Sequence, residues 1–153
     1  MALTIPLAGP NQADFITFLQ DAGFNSTVLP TTSSVIPFAL GVALDIVNGA
    51  LNDAVPDIYT LAVYNLGADN IVRFAQDQTG QTFFANLRSS LKIDALSPGV
   101  TSSTSDESTS ESLLNPKFME GLSLMDLQNL KTPWGRQYLM FAQMYGPTIW
   151  GLS

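Results

Sequence analysis

Neither cysteine nor histidine occurs in this chain of 153 residues. The first absence removes disulfides, thiolate nucleophiles and iron–sulfur ligands, and is typical of proteins made in a reducing cytoplasm. The second removes the commonest general base, the Ser–His and Cys–His pairs, and zinc sites built from His and Cys. Charge is scarce too: 12% of residues are ionisable Asp, Glu, Lys or Arg, against roughly 25% in an average globular domain. The six cations, Arg73, Arg88, Lys92, Lys117, Lys131 and Arg136, are scattered, and the formal net charge is −7. Binding to a phosphate backbone draws on clustered Lys and Arg, so nucleic-acid binding is not expected as the main function. The start MALTIPLAGP lacks the basic residues and the longer apolar core of a secretory signal. The strongest membrane candidate, VIPFALGVALDIVNGAL at 35–51, is interrupted by Asp45 and Asn48. It falls short of the roughly 20 apolar residues that span a bilayer and reads as a core helix, with no membrane partner expected.

Carboxylates are what remains for chemistry. Asp53 and Asp57 lie four apart, but at a Pro-marked helix start, where capping accounts for them. Asp106, Glu107 and Glu111 form an acidic cluster in a Ser-rich stretch that lacks the alternating ligand spacing of a calcium loop. NLGADN has one Gly and no following Lys, so there is no phosphate loop, and no G-x-S-x-G elbow occurs. The expectation is a non-enzyme with no catalytic residue, no cofactor and no metal.

The chain is 46% apolar, long enough for one core, and patterned for helices. The expected fold is all-α: a single domain over 1–153, a bundle of four to six helices with an extended N-terminal arm and a long Ser-rich loop. Pro6, Gly9 and Pro10 mark the arm, residues 1–12. Phe15, Ile16, Phe18 and Leu19 predict a short helix over 14–22, ended by Gly23. NSTVLPTTSS (25–34) predicts a loop in which Ser33 or Ser34 caps the second helix. That helix, about 35–52, is apolar nearly all the way round, which predicts the central core helix ahead of a helix packed between subunits.

A third helix of some 20 residues begins near Pro56, with Asp53 as its cap, and Gly67 reads as its weak point. QTGQ (78–81) breaks it, and Thr82 starts a fourth helix carrying Phe83, Phe84, Leu87 and Leu91. SPGVTSSTSDESTSES (97–112), within a segment over 97–116, is the clearest compositional shift. It predicts a flexible loop, or an arm that orders on a partner.

The C-terminal helices are expected over 123–146. Ser123 opens a short one with Leu124, Leu127 and Leu130; Thr132 and Pro133 supply the N-cap and first position of the last. Trp134, Tyr138, Phe141 and Tyr145 give that helix an apolar face, and Gly146–Pro147 is its expected stop, leaving residues 147–153 as a tail. The interface candidates are Trp134, Arg136, Ile149, Trp150 and Leu152. An Arg beside aromatic rings can stack or pair with a carboxylate, and the last three lie beyond the expected stop, where a neighbour can bury them. A weakly charged surface repels its neighbours poorly, so self-association is expected.

The segments LAVYNLGADNIVRFAQD and DLQNLKTPWGRQYLMFAQMYGPTIWGL resemble small virion proteins of tailed bacteriophages, encoded among the head and neck genes. The likeness covers roughly residues 35–153, and the functional class it is most similar to is the head–tail connector, or neck adaptor. Proteins of that class are small and α-helical and form a ring beneath the portal. The resemblance implies a ring of this chain with itself, a dodecamer, at the virion neck, assembled in the host bacterial cytoplasm. Its further partners would be the portal protein and the tail or tail-terminator proteins. DNA would pass through the channel without specific binding, and an acidic channel suits that passage. Many connectors present a long charged C-terminal helix, whereas this C-terminus is short, aromatic and apolar. A tail terminator or a minor capsid (cement) protein is open under the same resemblance, and a non-virion assembly chaperone is the alternative from another class.

Overall fold

The structure, a computed structural model, describes residues 3–93 and 124–149, apart from the side chains of 124–126 and 146–149. The described residues form seven helices and no strand: α1 (Gln12–Asp21), α2 (Val35–Ile46), α3 (Ala50–Ala54), α4 (Pro56–Phe74), α5 (Phe83–Ser90), α6 (Leu124–Asn129) and α7 (Pro133–Ile149). All regular structure among the described residues is helical, in keeping with the expected all-α class. None of these helices is long and apolar enough to cross a membrane. The expected Ser-rich loop over 97–116 and the Ser123 cap lie outside the described residues.

Local chemistry explains the ends of α1. The side chain of Asn11 accepts from the Asp14 N–H at 2.9 Å, which satisfies one of the free donors of the first turn. At the other end Gly23 takes φ +104, a conformation glycine adopts freely. Its N–H donates to Gln20 O at 3.1 Å and that of Phe24 to Leu19 O at 2.9 Å, the paired bonds of a Schellman ending.

The expected helix over 35–52 is two helices, which raises the count above the expected four to six. Val47 turns the chain out into an extended conformation (φ −69, ψ 130), and Asn48 Oδ1 then accepts from the Ala50 N–H at 2.9 Å to begin α3. The apolar run concealed an Asn-Gly turn signal. Asp53 therefore sits inside α3 instead of capping α4, and neither Ser34 nor Thr82 makes a side-chain cap bond. For α5 that role falls to Asp77, whose two oxygens accept from Phe84 N (2.7 Å) and Ala85 N (3.0 Å).

The central helix is α4, not α2. Every residue from Ala62 to Val72 is buried, with α2 on one flank and α7 on another. By contrast α2 buries one face, through Ile36, Ala39, Leu40 and Ala43, and leaves Phe38 and Leu44 exposed. Hydrophobicity ranks α2 first, but a polar residue is as readily buried once its hydrogen bonds are made. On α4 they are: Thr60 donates to Pro56 O at 3.0 Å and Asn65 to Leu61 O at 2.8 Å. Arg88 of α5 caps the far end, donating to Val72 O (3.1 Å) and Ala75 O (2.8 Å).

The residues before α1 lie along α4. Leu7 N donates to Asp57 Oδ1 at 2.9 Å, and Asn11 N donates to the buried Tyr64 hydroxyl at 3.1 Å. Phe15 stacks on Tyr64 with ring centroids 5.6 Å apart. A second aromatic group joins the end of α1 to α5 and α7: Phe24 lies 5.9 Å from Phe84 and 5.1 Å from Trp134, centroid to centroid. The expected apolar face of α7 is the one that packs inward, with Tyr138 and Phe141 buried and Trp134 and Tyr145 half-buried beside them.

Two expectations for α7 fare differently. Thr132 caps it as predicted, its Oγ1 accepting from Gly135 N at 2.8 Å. The helix does not stop at Gly146–Pro147, however, and runs on to Ile149. Pro147 deprives the Gln143 carbonyl of its helical donor, a loss confined to a single bond in the last two turns of the helix. Between the two halves of the chain, Lys131 Nζ donates to Ile93 O at 3.1 Å.

Candidate functional site

The C-terminal half of α4 meets α6 and the start of α7 through polar groups. Asp69 is 1% exposed. Its Oδ2 accepts from Arg73 Nε at 2.8 Å and its Oδ1 from Arg73 Nη2 at 3.3 Å, one helical turn away. Thr132 Oγ1 also donates to Asp69 Oδ1, and Arg73 Nη2 donates to the Gln128 carbonyl. One hydroxyl thus serves as a cap acceptor for α7 and as a donor to α4. The carboxylate is spent on these bonds, so it secures α6 and α7 to α4.

The link between α6 and α7 is tight. A Cβ placed on Gly135 would lie 2.1 Å from Asn129 O, so only glycine lets the two backbones meet this closely. This approach fixes Asn129, which is 3% exposed and whose Nδ2 has no hydrogen-bond partner.

Asn129 lines a cavity of about 410 Å³ between α2, α4 and α6. Val42, Ile46, Leu66 and Phe74 form apolar walls, and Asp69, Asn70, Arg73 and Asn129 gather at its polar parts. Asn70 is partly engaged, its Nδ2 donating to Ala39 O of α2 at 3.4 Å. At the rim Phe74 and Phe38 are both about half exposed and meet edge to face with centroids 5.9 Å apart. With the carboxylate and guanidinium paired, the cavity offers chiefly apolar contact. It is suited to holding an uncharged group, not to proton transfer. No cluster of three acidic side chains that could hold a metal ion occurs among the described residues.

The residues singled out in the sequence fall elsewhere. Trp134 belongs to the aromatic group around Phe24. Arg136 is exposed, and its Nη1 donates to Leu130 O at 3.0 Å, which ties the first turn of α7 to the end of the preceding turn. Ile149 closes the α7 backbone, its side chain lying outside the described residues along with Trp150 and Leu152. The structure brings neither Trp134 nor Arg136 to the cavity. Sequence reasoning missed Asp69, Arg73 and Asn129, although the four-residue Asp–Arg spacing was legible. Comparison with known proteins gives no match: no family model, no curated protein and no solved structure is similar to this chain.

Proposed function

We propose that this chain is a structural virion protein of a tailed bacteriophage, a head–tail connector whose copies form a ring between the portal and the tail. The observation that carries the reading is the apolar surface left uncovered on a weakly charged chain. Phe38 and Leu44 of α2 and Phe74 of α4 are exposed, and so are Met140 and Met144, one turn apart on α7. A closed ring is built from heterologous contacts, in which one patch of a subunit meets a different patch of the next. Two apolar exposures on different elements supply such a pair, and few like charges oppose their approach. The resemblance of LAVYNLGADNIVRFAQD and DLQNLKTPWGRQYLMFAQMYGPTIWGL to phage neck proteins adds the location. Tail terminator and cement protein are neighbouring roles that use the same property.

Negative-stain microscopy of the purified chain, alone and with portal protein, tests the reading. Rings of uniform diameter are expected, at least once portal is added. Replacing Phe38 and Met144 by Asp should abolish them while the helical spectrum is retained. A protein that stays monomeric with portal at high concentration would count against a connector. Absence of the chain from purified particles, read by mass spectrometry, would favour an assembly chaperone.

A further inference from the structure

Asn48 and Gly49, the one Asn-Gly pair in the sequence, lie in the link between α2 and α3. Asn48 is half-buried and Gly49 is exposed. Asn48 Oδ1 accepts from the Ala50 N–H at 2.9 Å, and this bond closes a ring of atoms that contains both Asn48 Cγ and the Gly49 nitrogen. The Gly49 N–H donates to no described residue. A Cβ built on Gly49 would meet nothing within 4 Å, so this flank of the peptide is open to water. We infer that Asn48 is a site of spontaneous deamidation, and that its isoaspartate product displaces α3.

Each step uses groups present at the link. Hydroxide removes the Gly49 amide proton, and the nitrogen attacks Asn48 Cγ. The new C–N bond leaves a tetrahedral centre whose oxyanion is Oδ1, the atom that the Ala50 N–H already addresses. Nδ2 takes up a proton and departs as ammonia, which leaves a five-membered succinimide. Water then opens either of its two carbonyls. Opening at the former side-chain carbonyl restores the backbone and gives aspartate. Opening at the main-chain carbonyl routes the backbone through Cβ and gives isoaspartate. Either way an amide becomes a carboxylate, with water consumed and ammonia released, and no oxidant or reductant is involved.

The two products differ in what they do to α3. The link is anchored on both sides by buried side chains, Val47 and Leu51. An extra backbone carbon between them shifts one anchor in a close-packed interior, whereas a carboxylate on the native backbone leaves their spacing unaltered. Asn25 supplies an internal comparison. Its Oδ1 accepts from the Thr27 N–H at 3.0 Å in the same manner, but Ser26 follows it and carries the side chain that Gly49 lacks. The inference does not depend on the neck reading.

Ageing the whole chain in mildly alkaline buffer, followed by peptide mass spectrometry and isoaspartyl methylation, tests it. Position 48 should exchange amide for acid at a rate within about tenfold of that of a capped Val-Asn-Gly-Ala peptide, and ahead of position 25. The rate should climb with pH, since the deprotonated nitrogen is the nucleophile. Gly49→Ala suits the observed φ −62 and ψ −24 and meets no neighbour, so it should keep the fold and slow the reaction at least about tenfold. The isoaspartate fraction, separated by ion exchange, should melt a few degrees below Asn48→Asp, which supplies the charge without the extra carbon. Protection of the folded chain by more than about tenfold over the peptide would overturn the site. So would equal rates at positions 25 and 48, or a rate unchanged by Gly49→Ala. Equal melting of the isoaspartate fraction and Asn48→Asp would overturn the displacement of α3.

Discussion

Gly67 has no side chain at the point of α4 where the Phe15 ring lies against the backbone. A Cβ there would sit 2.7 Å from Phe15 Cζ. In the sequence this glycine reads as a weak point, since glycine costs a helix about 1 kcal/mol relative to alanine; in the fold it makes room for a ring. Gly67→Ala is therefore expected to lower stability by about 1–3 kcal/mol through overpacking, where an exposed helical glycine would gain. Urea denaturation decides between the two signs, and a more stable variant would show that Phe15 moves aside freely. Tyr64 is legible at the same scale. Burial raises its pKa above the ordinary tyrosine value; the hydrogen bond from Asn11 opposes the shift and the nearby Asp14 charge adds to it. The folded state then keeps the phenol proton at a pH where the unfolded chain has lost it, so stability falls as pH rises above about 10. Urea midpoints measured from about pH 8 to about pH 11 should drop more steeply for the wild type than for Tyr64→Phe. Parallel curves would place Tyr64 outside this balance.

At the scale of elements, α2 and α4 exchange the parts their compositions suggest. Side-chain hydrophobicity is a property of one residue, whereas burial depends on partners, and one of the two that hold Asp69 is not local. Thr132 lies 63 positions away. That is why Thr132–Pro133 was legible as a helix start, a matter of neighbouring residues, while the second use of Thr132 was not. Asp77, seven residues ahead of the N–H it caps, was missed for a similar reason. The Asn-Gly break between α2 and α3 was within reach of local reasoning and was hidden by the apolar residues around it. The polar junction also makes a quantitative prediction. Asp69→Asn leaves the mostly buried Arg73 without its counter-charge and is expected to cost about 2–3 kcal/mol. Adding Arg73→Met, which removes the orphaned charge, should recover much of the loss. If the double variant is no better than the single one in urea melts, the ion pair is not what holds α6 and α7 to α4.

For the whole molecule, the assembly reading and the fold draw on the same surplus. The chain buries Thr60, Asn65, Asp69 and Asn70 of its central helix and leaves the Phe38 and Phe74 rings and the Met140 and Met144 thioethers outside, and these are the contacts that the assembly reading uses. The bond from Lys131 Nζ to Ile93 O has a separate consequence. It ties the point where the chain leaves α5 to the point where it turns from α6 into α7, so the two passages meet without reference to the residues between them. The bond is a closure of the body: α6 is only six residues long, so Ile93 is held within a short span of Leu124 as well. Substituting residues 94–123 by a Gly-Ser linker of about ten residues, with a reach of roughly 33 Å, should preserve the far-ultraviolet helical signal and shift Tm by only a few degrees, because loop-closure cost grows slowly with length. A large loss of helix would mean the stretch contributes to the core. If the fold persists, this closure is where the chain can be opened: new termini, a tag or a whole inserted domain can enter there and leave α1 to α7 in register.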